Sequence, residues 1–163
     1  MVQSVLVHEY LIRTAEPADV TALRDVFRRS SLSNDGDRAN LLAHPDALKF
    51  DDTPVGEQRT RVALDNDRVI GFATTRVGTP ADFGANAIEL DDLFVDPVWM
   101  RRGVALSLVA DAIATARANG FARVEVTANP HAMLFYRAAG FIDDGLTETL
   151  FGPGRRMHLD VHP

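Results

Sequence analysis

A strand that leads through a glycine-containing loop into a long helix constrains the fold of this chain more than any other feature. The strand is predicted over 90–97, and it ends at Pro97 because proline has no N–H to donate to a sheet. Beyond Gly103, small and apolar side chains recur at helical spacing as far as Ala116. The sequence therefore predicts a strand–loop–helix unit with the helix beginning near Gly103.

The predicted start of that helix has the properties of a phosphate-binding site. The first N–H groups of a helix have no partner within it and carry partial positive charge. Gly103 lets this backbone approach a ligand closely, and Ala105 is small enough not to block it. Arg101 and Arg102 add fixed positive charge. We expect a diphosphate to bind here, although a short basic run taken alone also fits a solvated helix start.

A second segment strengthens that interpretation. Asn129 and Tyr136 lie seven residues apart around a predicted short helix, which the pair Gly140-Phe141 closes. Together the two segments resemble the core of the GNAT superfamily of acyl-CoA-dependent N-acetyltransferases, in the form found in uncharacterised bacterial proteins. The resemblance names a cofactor and a reaction, but no substrate.

The resemblance implies the α/β (α+β) GNAT fold, as a single domain over 1–163. That fold has a mixed sheet of about seven strands, a V-shaped splay between strands 4 and 5, and about four flanking helices. The residue patterns predict the matching order β-α-α-β-β-β-α-β-α-β-β. Between these elements they predict a loop over 51–56, a hairpin turn at 65–67, a mobile loop over 78–86 and a turn over 151–154.

The family pattern also implies which residues bind acetyl-CoA. The diphosphate lies on the helix start, the pantetheine arm lies in the splay, and a backbone N–H near Phe94 or Val95 binds the oxyanion. Met100 departs from the pattern, because its position three residues before the glycine usually holds Gln or Arg. The predicted cofactor-binding residues are Phe94, Val95, Arg101, Arg102, Gly103, Val104, Ala105, Asn129 and Tyr136.

The function that the resemblance implies is N-acetylation of a primary amine on a small molecule or a protein. The chain has no cysteine, which excludes a cysteine acyl-enzyme, so we expect direct transfer in a ternary complex. In this fold the first helices, the loop over 78–86 and the last hairpin form the acceptor pocket, and the polar stretch 30–38 is a candidate for its lip. The alternative function is a non-catalytic module that binds acyl-CoA as a sensor or interaction domain.

Tyr136 is the candidate general acid. A phenol with a pKa near 10 is protonated at neutral pH and is able to give its proton to a departing thiolate. In the family, the tyrosine at this position faces the thioester sulfur. The alternative is a core tyrosine that packs the last helix.

Acetyl transfer also needs a base, because an alkyl ammonium with a pKa of about 10.4 is almost fully protonated at pH 7. In the family, an acid on the central strand often takes that proton through water. Asp91 resembles it most, Glu89 is the second candidate, and Asp92 ranks behind both; otherwise solvent is the base and these acids are structural. Period-two alternation predicts one face with Glu89, Asp91, Leu93 and Val95 and the opposite face with Leu90, Asp92 and Phe94.

Composition and residue patterns narrow the possible partners, cellular location and cofactors of the protein. The net charge of −6 argues against a nucleic-acid partner and favours a cationic or neutral acceptor. The apolar runs are too short to span a bilayer and no leader pattern opens the chain, so we expect a cytoplasmic protein without a membrane partner. The five histidines lack metal-ligand spacing, and no metal is expected. Homodimers are common in the superfamily, but no residue pattern here identifies an interface.

Overall fold

The computed structural model of the chain describes residues 10–78, 86–149 and 152–161. Its strands are β1 Leu11–Thr14, β2 Thr60–Asp65, β3 Arg68–Val77, β4 Ala87–Val95, β5 Arg123–Ala128, β6 Ile142–Thr149 and β7 Gly152–Asp160. Its α-helices are α1 Val20–Leu32, α2 Asp35–Ala43, α3 Thr53–Gly56, α4 Val104–Ala118 and α5 Met133–Ala138.

The strands form one mixed sheet in the order β1-β2-β3-β4-β5-β7-β6. Every neighbouring pair is antiparallel except β4 and β5, which are parallel and are connected through α4. This arrangement confirms the predicted fold class and the predicted order of the main elements.

The splay lies between the two parallel strands. β4 and β5 pair only over Ala87–Glu89 and Arg123–Glu125. Beyond these residues β4 runs on to Val95 and β5 to Ala128 without further pairing to each other. The predicted V is therefore present, and it exposes the facing edges of two strands.

Each face of the sheet packs against its own set of helices. The larger core lies under α4 and α5, and the smaller core lies under α1. Helix α4 comes close to the sheet at Gly71, where a Cβ atom would lie only 3.0 Å from both the Phe94 carbonyl oxygen and Val104 Cγ1. This contact places the N-terminus of α4 beside the end of β4.

Asp96 fixes the loop between β4 and α4. Its carboxylate is 1% exposed, and it accepts hydrogen bonds from the Arg29 guanidinium at 2.6 Å and from the Val98 amide at 3.1 Å. The first bond ties α1 to the end of β4, and the second starts the short 3₁₀ turn Pro97–Trp99. The path of the chain into Gly103 is thereby set.

Two predictions about connecting segments are wrong. The segment 51–56 is not all loop, because Asp51 accepts a hydrogen bond from the Thr53 amide at 2.9 Å and Pro54 suits the first turn of α3. The predicted turn over 151–154 also fails, since Gly152–Gly154 pair with β6 as the start of β7. A proline fits there because β5 pairs only with the later residues Arg155–Asp160.

The hairpin prediction is confirmed, and one loop prediction stays open. Strands β2 and β3 are joined at Asn66, which has a φ of 53°. Most of the predicted mobile loop, residues 79–85, lies outside the described residues. At its ends, the Gly78 amide donates a hydrogen bond to the Ala87 carbonyl at 2.9 Å.

The alternation predicted for β4 is wrong because the strand contains a β-bulge. Two consecutive residues of β3 pair with Asp92 and Leu90, so Asp91 lies between them without a partner of its own. The sequence placed Asp91 with Val95 and Asp92 with Leu90. Instead, Leu90 and Val95 share the core under α4, whereas Asp91 and Asp92 line one cavity on the α1 side.

Candidate active site

A largely apolar cavity of about 350 Å³ lies at the N-terminus of α4. Five of the predicted cofactor-binding residues line it. Trp99, Leu106 and Phe135 also contribute, and the spacing of the glycine loop did not single them out. The lining residues are Val95, Trp99, Met100, Arg101, Gly103, Val104, Ala105, Leu106 and Phe135.

The helix start in this cavity is open to an anion. Gly103 is the N-cap with a φ of 82°, it supplies no side-chain cap, and the first turn of α4 contains no acidic residue. A Cβ atom at Gly103 would meet no heavy atom within 4 Å. The first amides of α4 therefore keep their partial charge and face free space, which fits a bound diphosphate.

The two arginines before Gly103 differ in their surroundings. Arg101 lines the cavity and has a φ of 62°. Arg102 instead lies with its guanidinium 5.2 Å from the centre of the Trp99 ring, and its carbonyl accepts a hydrogen bond from Tyr10 at 2.7 Å. Of the two, Arg101 is the better placed to bind a phosphate, while Arg102 holds the loop.

Tyr136 is buried between aromatic neighbours on α5 and after it. Its ring centre lies 5.1 Å from that of Phe135 and 5.3 Å from that of Phe141. Burial, and then the negative charge of Glu89, raise the pKa of the Tyr136 hydroxyl, so the phenol stays protonated. Its hydroxyl donates no hydrogen bond within the described residues, where no fully buried side-chain polar atom lacks a partner. That hydroxyl therefore keeps some accessible surface, although the residue is only 5% exposed and lines none of the cavities described in this subsection.

Asn129 connects the cofactor segment to a second cavity. Its side-chain oxygen accepts a hydrogen bond from the Ala132 amide at 2.9 Å and so shapes the turn before α5. The cavity beside it, of about 270 Å³, brings together α2, the end of β5 and the last hairpin. Its lining residues are Asp37, Asn40, Leu41, Thr127, Asn129, Pro130, Thr149, Pro153 and Gly154.

Glu89 is held in an ion cluster at the closed end of the splay. Arg156 from β7 donates to both carboxylate oxygens of Glu89, at 2.6 and 2.9 Å, and to Glu125 of β5 at 2.6 Å. Both carboxylates are more than 90% buried. The geometry gives Glu89 a structural contact that joins three strands, and no sequence pattern linked it to Arg156.

A third cavity, of about 310 Å³, lies between α1 and the sheet and is called the α1-side cavity below. Asp91 and Asp92 both line it. Asp91 accepts a hydrogen bond from Arg76 at 3.1 Å, and burial raises its pKa although Arg76 opposes the shift. The lining residues are Phe27, Lys49, Phe50, Asp51, Pro54, Arg59, Phe72, Thr74, Asp91 and Asp92.

Asp92 is the more strongly perturbed of the two acids. Burial, followed by the charge of Asp91, raises the pKa of Asp92 to about 6, while a hydrogen bond from Thr74 opposes the shift. A carboxylate with a pKa near the working pH is suited to take and return a proton. The sequence ranked Asp92 behind Asp91 and Glu89 because the bulge was not visible in it.

The histidines have partners of ordinary kinds. His158 Nδ1 lies 2.7 Å from an Asp144 carboxylate oxygen, and His131 Nε2 lies 3.6 Å from one of Asp37. Across the described ranges, no cluster of three or more His, Asp or Glu side chains is arranged to hold a metal ion. No helix in these same ranges has the length and apolar character needed to cross a membrane.

Sequence comparison decides the family. The profile of the acetyltransferase (GNAT) family matches residues 21–141, which is most of the chain. The chain belongs to the acetyltransferase (GNAT) family. Membership confirms the predicted enzyme class, an acetyltransferase. No curated protein sequence matches the chain.

Solved GNAT structures share the fold. A GCN5-related N-acetyltransferase from Rhodopseudomonas palustris has a TM-score of 0.72 at 18% identity, covering 98% of each chain. The PaiA N-acetyltransferase from Thermoplasma acidophilum, in complex with coenzyme A, has a TM-score of 0.68 at 17% identity, covering 92% of this chain and 98% of that one. The ribosomal-protein-S18-alanine N-acetyltransferase from Escherichia coli has a TM-score of 0.67 at 18% identity, covering 94% of each.

The raised pKa of Asp92 makes a prediction about stability. Its folded-state pKa of about 6 lies above the ordinary value of about 3.9, so between these values the folded state binds more protons than the unfolded state. The wild-type protein therefore loses stability at this site as pH rises from about 4 to 6. Asp92→Asn should remove that loss and add up to about 3 kcal/mol at pH 7.5, but much less at pH 4.

Urea unfolding of the wild-type and variant proteins at both pH values measures this difference. Asp46→Asn is the matched control, because the Asp46 side chain is 96% exposed. An Asp92→Asn difference that does not grow with pH would contradict the assignment of the raised pKa.

Proposed function

We propose that this protein transfers the acetyl group of acetyl-CoA directly to a primary amine of a small molecule or a protein. The observation that carries the proposal is the splay of β4 from β5 beside the uncapped start of α4. The splay offers unpaired strand edges to the extended pantetheine arm of the cofactor. The start of α4 offers free amides to its diphosphate.

The residues of the cavity at α4 fit coenzyme A. The amides of Val104 and Ala105, with Arg101, would hold the diphosphate, so that Arg101 supplies the charge that Met100 does not. The free edge of β4 as far as Val95 would bind the pantetheine arm and an oxyanion. Bound acetyl-CoA supplies the reactive thioester. The Thermoplasma acidophilum neighbour, which shares the fold, is in complex with coenzyme A, and this supports coenzyme A as the cofactor.

Tyr136 would hold the proton that the departing sulfur receives. Burial, and then the negative charge of Glu89 on β4, raise the pKa of its hydroxyl, which therefore stays protonated. A hydroxyl in this position is able to bind and neutralise a developing thiolate.

Asp92 is the base that the geometry supports best. Glu89 has both carboxylate oxygens bound by Arg156, and Asp91 is paired with Arg76. Asp92 has no ion pair within the described residues and lies directly before the part of β4 that we assign to the oxyanion. We therefore propose that Asp92 takes the proton of the amine, directly or through one water.

Acetylation and a non-catalytic function are separated by one experiment. Release of thiol from acetyl-CoA, screened over alkylamines, polyamines, amino sugars and peptides, should identify an acceptor. If acetyl-CoA binds and none of these amines promotes thiol release, the proposed acetylation fails and a sensor that binds acyl-CoA takes its place.

Tyr136→Phe tests the general acid, because it keeps the ring and removes only the hydroxyl. Loss of a general acid typically costs about 10²- to 10⁴-fold in rate. We expect kcat to fall in that range while the Kd for acetyl-CoA, measured by calorimetry, changes little. Adding Phe141→Tyr to the Tyr136→Phe variant places a hydroxyl on the neighbouring ring, and it should not restore kcat. A fall in kcat below threefold would make Tyr136 a packing residue.

The pH dependence of kcat/KM tests the base. In the wild-type protein, protonation of Asp92 should reduce kcat/KM below a pH of about 6. Asp92→Asn should remove that inflection, lower the rate most at pH values above about 6, where the wild-type carboxylate is ionised, and allow partial recovery at still higher pH as the amine loses its proton by itself. Asp91→Asn and Glu89→Gln are the comparisons, and the base is whichever acid's variant loses the inflection.

A further inference from the structure

Phenylalanine side chains form one wall of the α1-side cavity. Phe27 comes from α1, Phe72 from β3, and Phe50 from the segment before α3. The ring centre of Phe50 lies 5.9 Å from that of Phe27 and 5.7 Å from that of Phe72, the second contact being edge-to-face. Phe94 packs beneath Phe27 and Phe72, at 5.0 and 5.5 Å. The wall is therefore apolar and braced by the core of the protein.

The other wall carries carboxylates. Asp91 and Asp92 come from the bulge of β4, and Asp51 lies near enough for its charge to affect Asp92. Lys49 and Arg59 also line the cavity; each has an acidic partner elsewhere, although the charge of Arg59 also lowers the pKa of Asp92. Lys49 lies 3.6 Å from Asp46, and Arg59 donates to Glu57 at 2.9 Å. Asp92 is therefore the carboxylate best able to receive a cation from a ligand.

We propose that the acceptor is a small primary amine carried on an aromatic or branched aliphatic body. This inference rests on the proposed acetylation and names its substrate class. The ammonium group binds at Asp92, and the body packs against Phe27, Phe50 and Phe72. A phenyl face also attracts the cation, which adds to the binding of an amine at this wall.

The same cavity disfavours other amines. An amino sugar would place some of its hydroxyl groups against the phenyl wall, where they find no hydrogen-bond partner, which is costly. A polyamine has no aromatic or branched body to pack against the phenyl wall, so it gains less from that wall. The volume of about 310 Å³ is at the small end of ligand pockets, so an extended peptide does not fit within it.

Asp92, Tyr136 and solvent together account for every proton that moves during acetyl transfer. The amine nitrogen, after giving one proton to Asp92, forms a bond to the acetyl carbon, and the carbon–sulfur bond breaks. The thiolate takes a proton from Tyr136, solvent returns a proton to Tyr136, and Asp92 releases to solvent the proton that it took. The second ammonium proton is lost to solvent as the amide forms.

Kinetics with matched amines test the inference. Phenethylamine and isoamylamine carry an apolar body, methylamine carries the same head without one, and spermidine and tobramycin represent the disfavoured classes. We expect kcat/KM for phenethylamine to exceed that for each of the last three by at least about 10-fold. Phe50→Ala should lower the phenethylamine value by about 10- to 100-fold and the methylamine value by less than threefold.

Two further variants separate recognition from folding. Phe50→Leu keeps an apolar wall and should retain most of the selectivity even if Phe50→Ala is poorly folded. Leu146→Ala removes an apolar side chain that is 71% exposed on β6, outside the cavity. It should change kcat/KM for neither phenethylamine nor methylamine. Urea unfolding of each variant shows whether it is folded under the assay conditions.

Equilibrium binding distinguishes the two ways of failing. Calorimetry measures the binding of phenethylamine to the protein with coenzyme A present, which needs no turnover. If Phe50→Ala weakens the binding of phenethylamine at least 10-fold but no amine is acetylated, the assignment of the cavity stands and the proposed function is overturned. If spermidine or tobramycin is acetylated in preference to phenethylamine, or if Phe50→Ala does not change the binding of phenethylamine, the proposed substrate class is overturned.

Discussion

The parting of β4 from β5 is the constraint on which the site depends, and one buried ion cluster fixes where it begins. Arg156 binds Glu89 and Glu125, which lie opposite each other in the last paired positions of the two strands. Two buried carboxylates would be costly without that guanidinium. Because the cluster closes the V at this point, the remaining residues of both strands diverge at a defined level of the sheet, and the edge of β4 is left free.

The splay also explains how two cavities on opposite faces of the sheet are able to serve one reaction. The cavity at α4 lies on one face and the α1-side cavity lies on the other. In an unbroken sheet, backbone and side chains would separate them completely. Beyond Glu89, β4 has no partner on its β5 side, so in the proposed reaction an acyl group held from the α4 side would be accessible to an amine held from the α1 side. The bulge at Asp91 turns two consecutive acids into the α1-side cavity.

Local chemistry accounts for what the sequence could predict. Pro97 and Gly103 impose a strand end and a helix start through their own backbone preferences, and Asn66 tolerates the positive φ of a hairpin turn. The bulge could not be predicted, since it is set by the pairing of β4 with β3 and shifts every side chain beyond it to the other face. The Glu89–Arg156 contact spans 67 residues, and no local pattern reports such a pair. For the same reason, the sequence did not separate Arg101 from Arg102.

Hydrogen–deuterium exchange with and without acetyl-CoA tests the central claim most directly, with glycine variants at the two ends of α4 as matched controls. We expect acetyl-CoA to protect the amides at the start of α4 and those on the edge of β4 that β5 leaves unpaired beyond Glu89. Gly103→Glu should abolish this protection, whereas Gly120→Glu should keep it, because Gly120 has a similar φ of 78° and equally open space at the other end of the helix. Protection that is absent from both segments in the wild-type protein, or that survives Gly103→Glu, would contradict the placement of the cofactor in the splay.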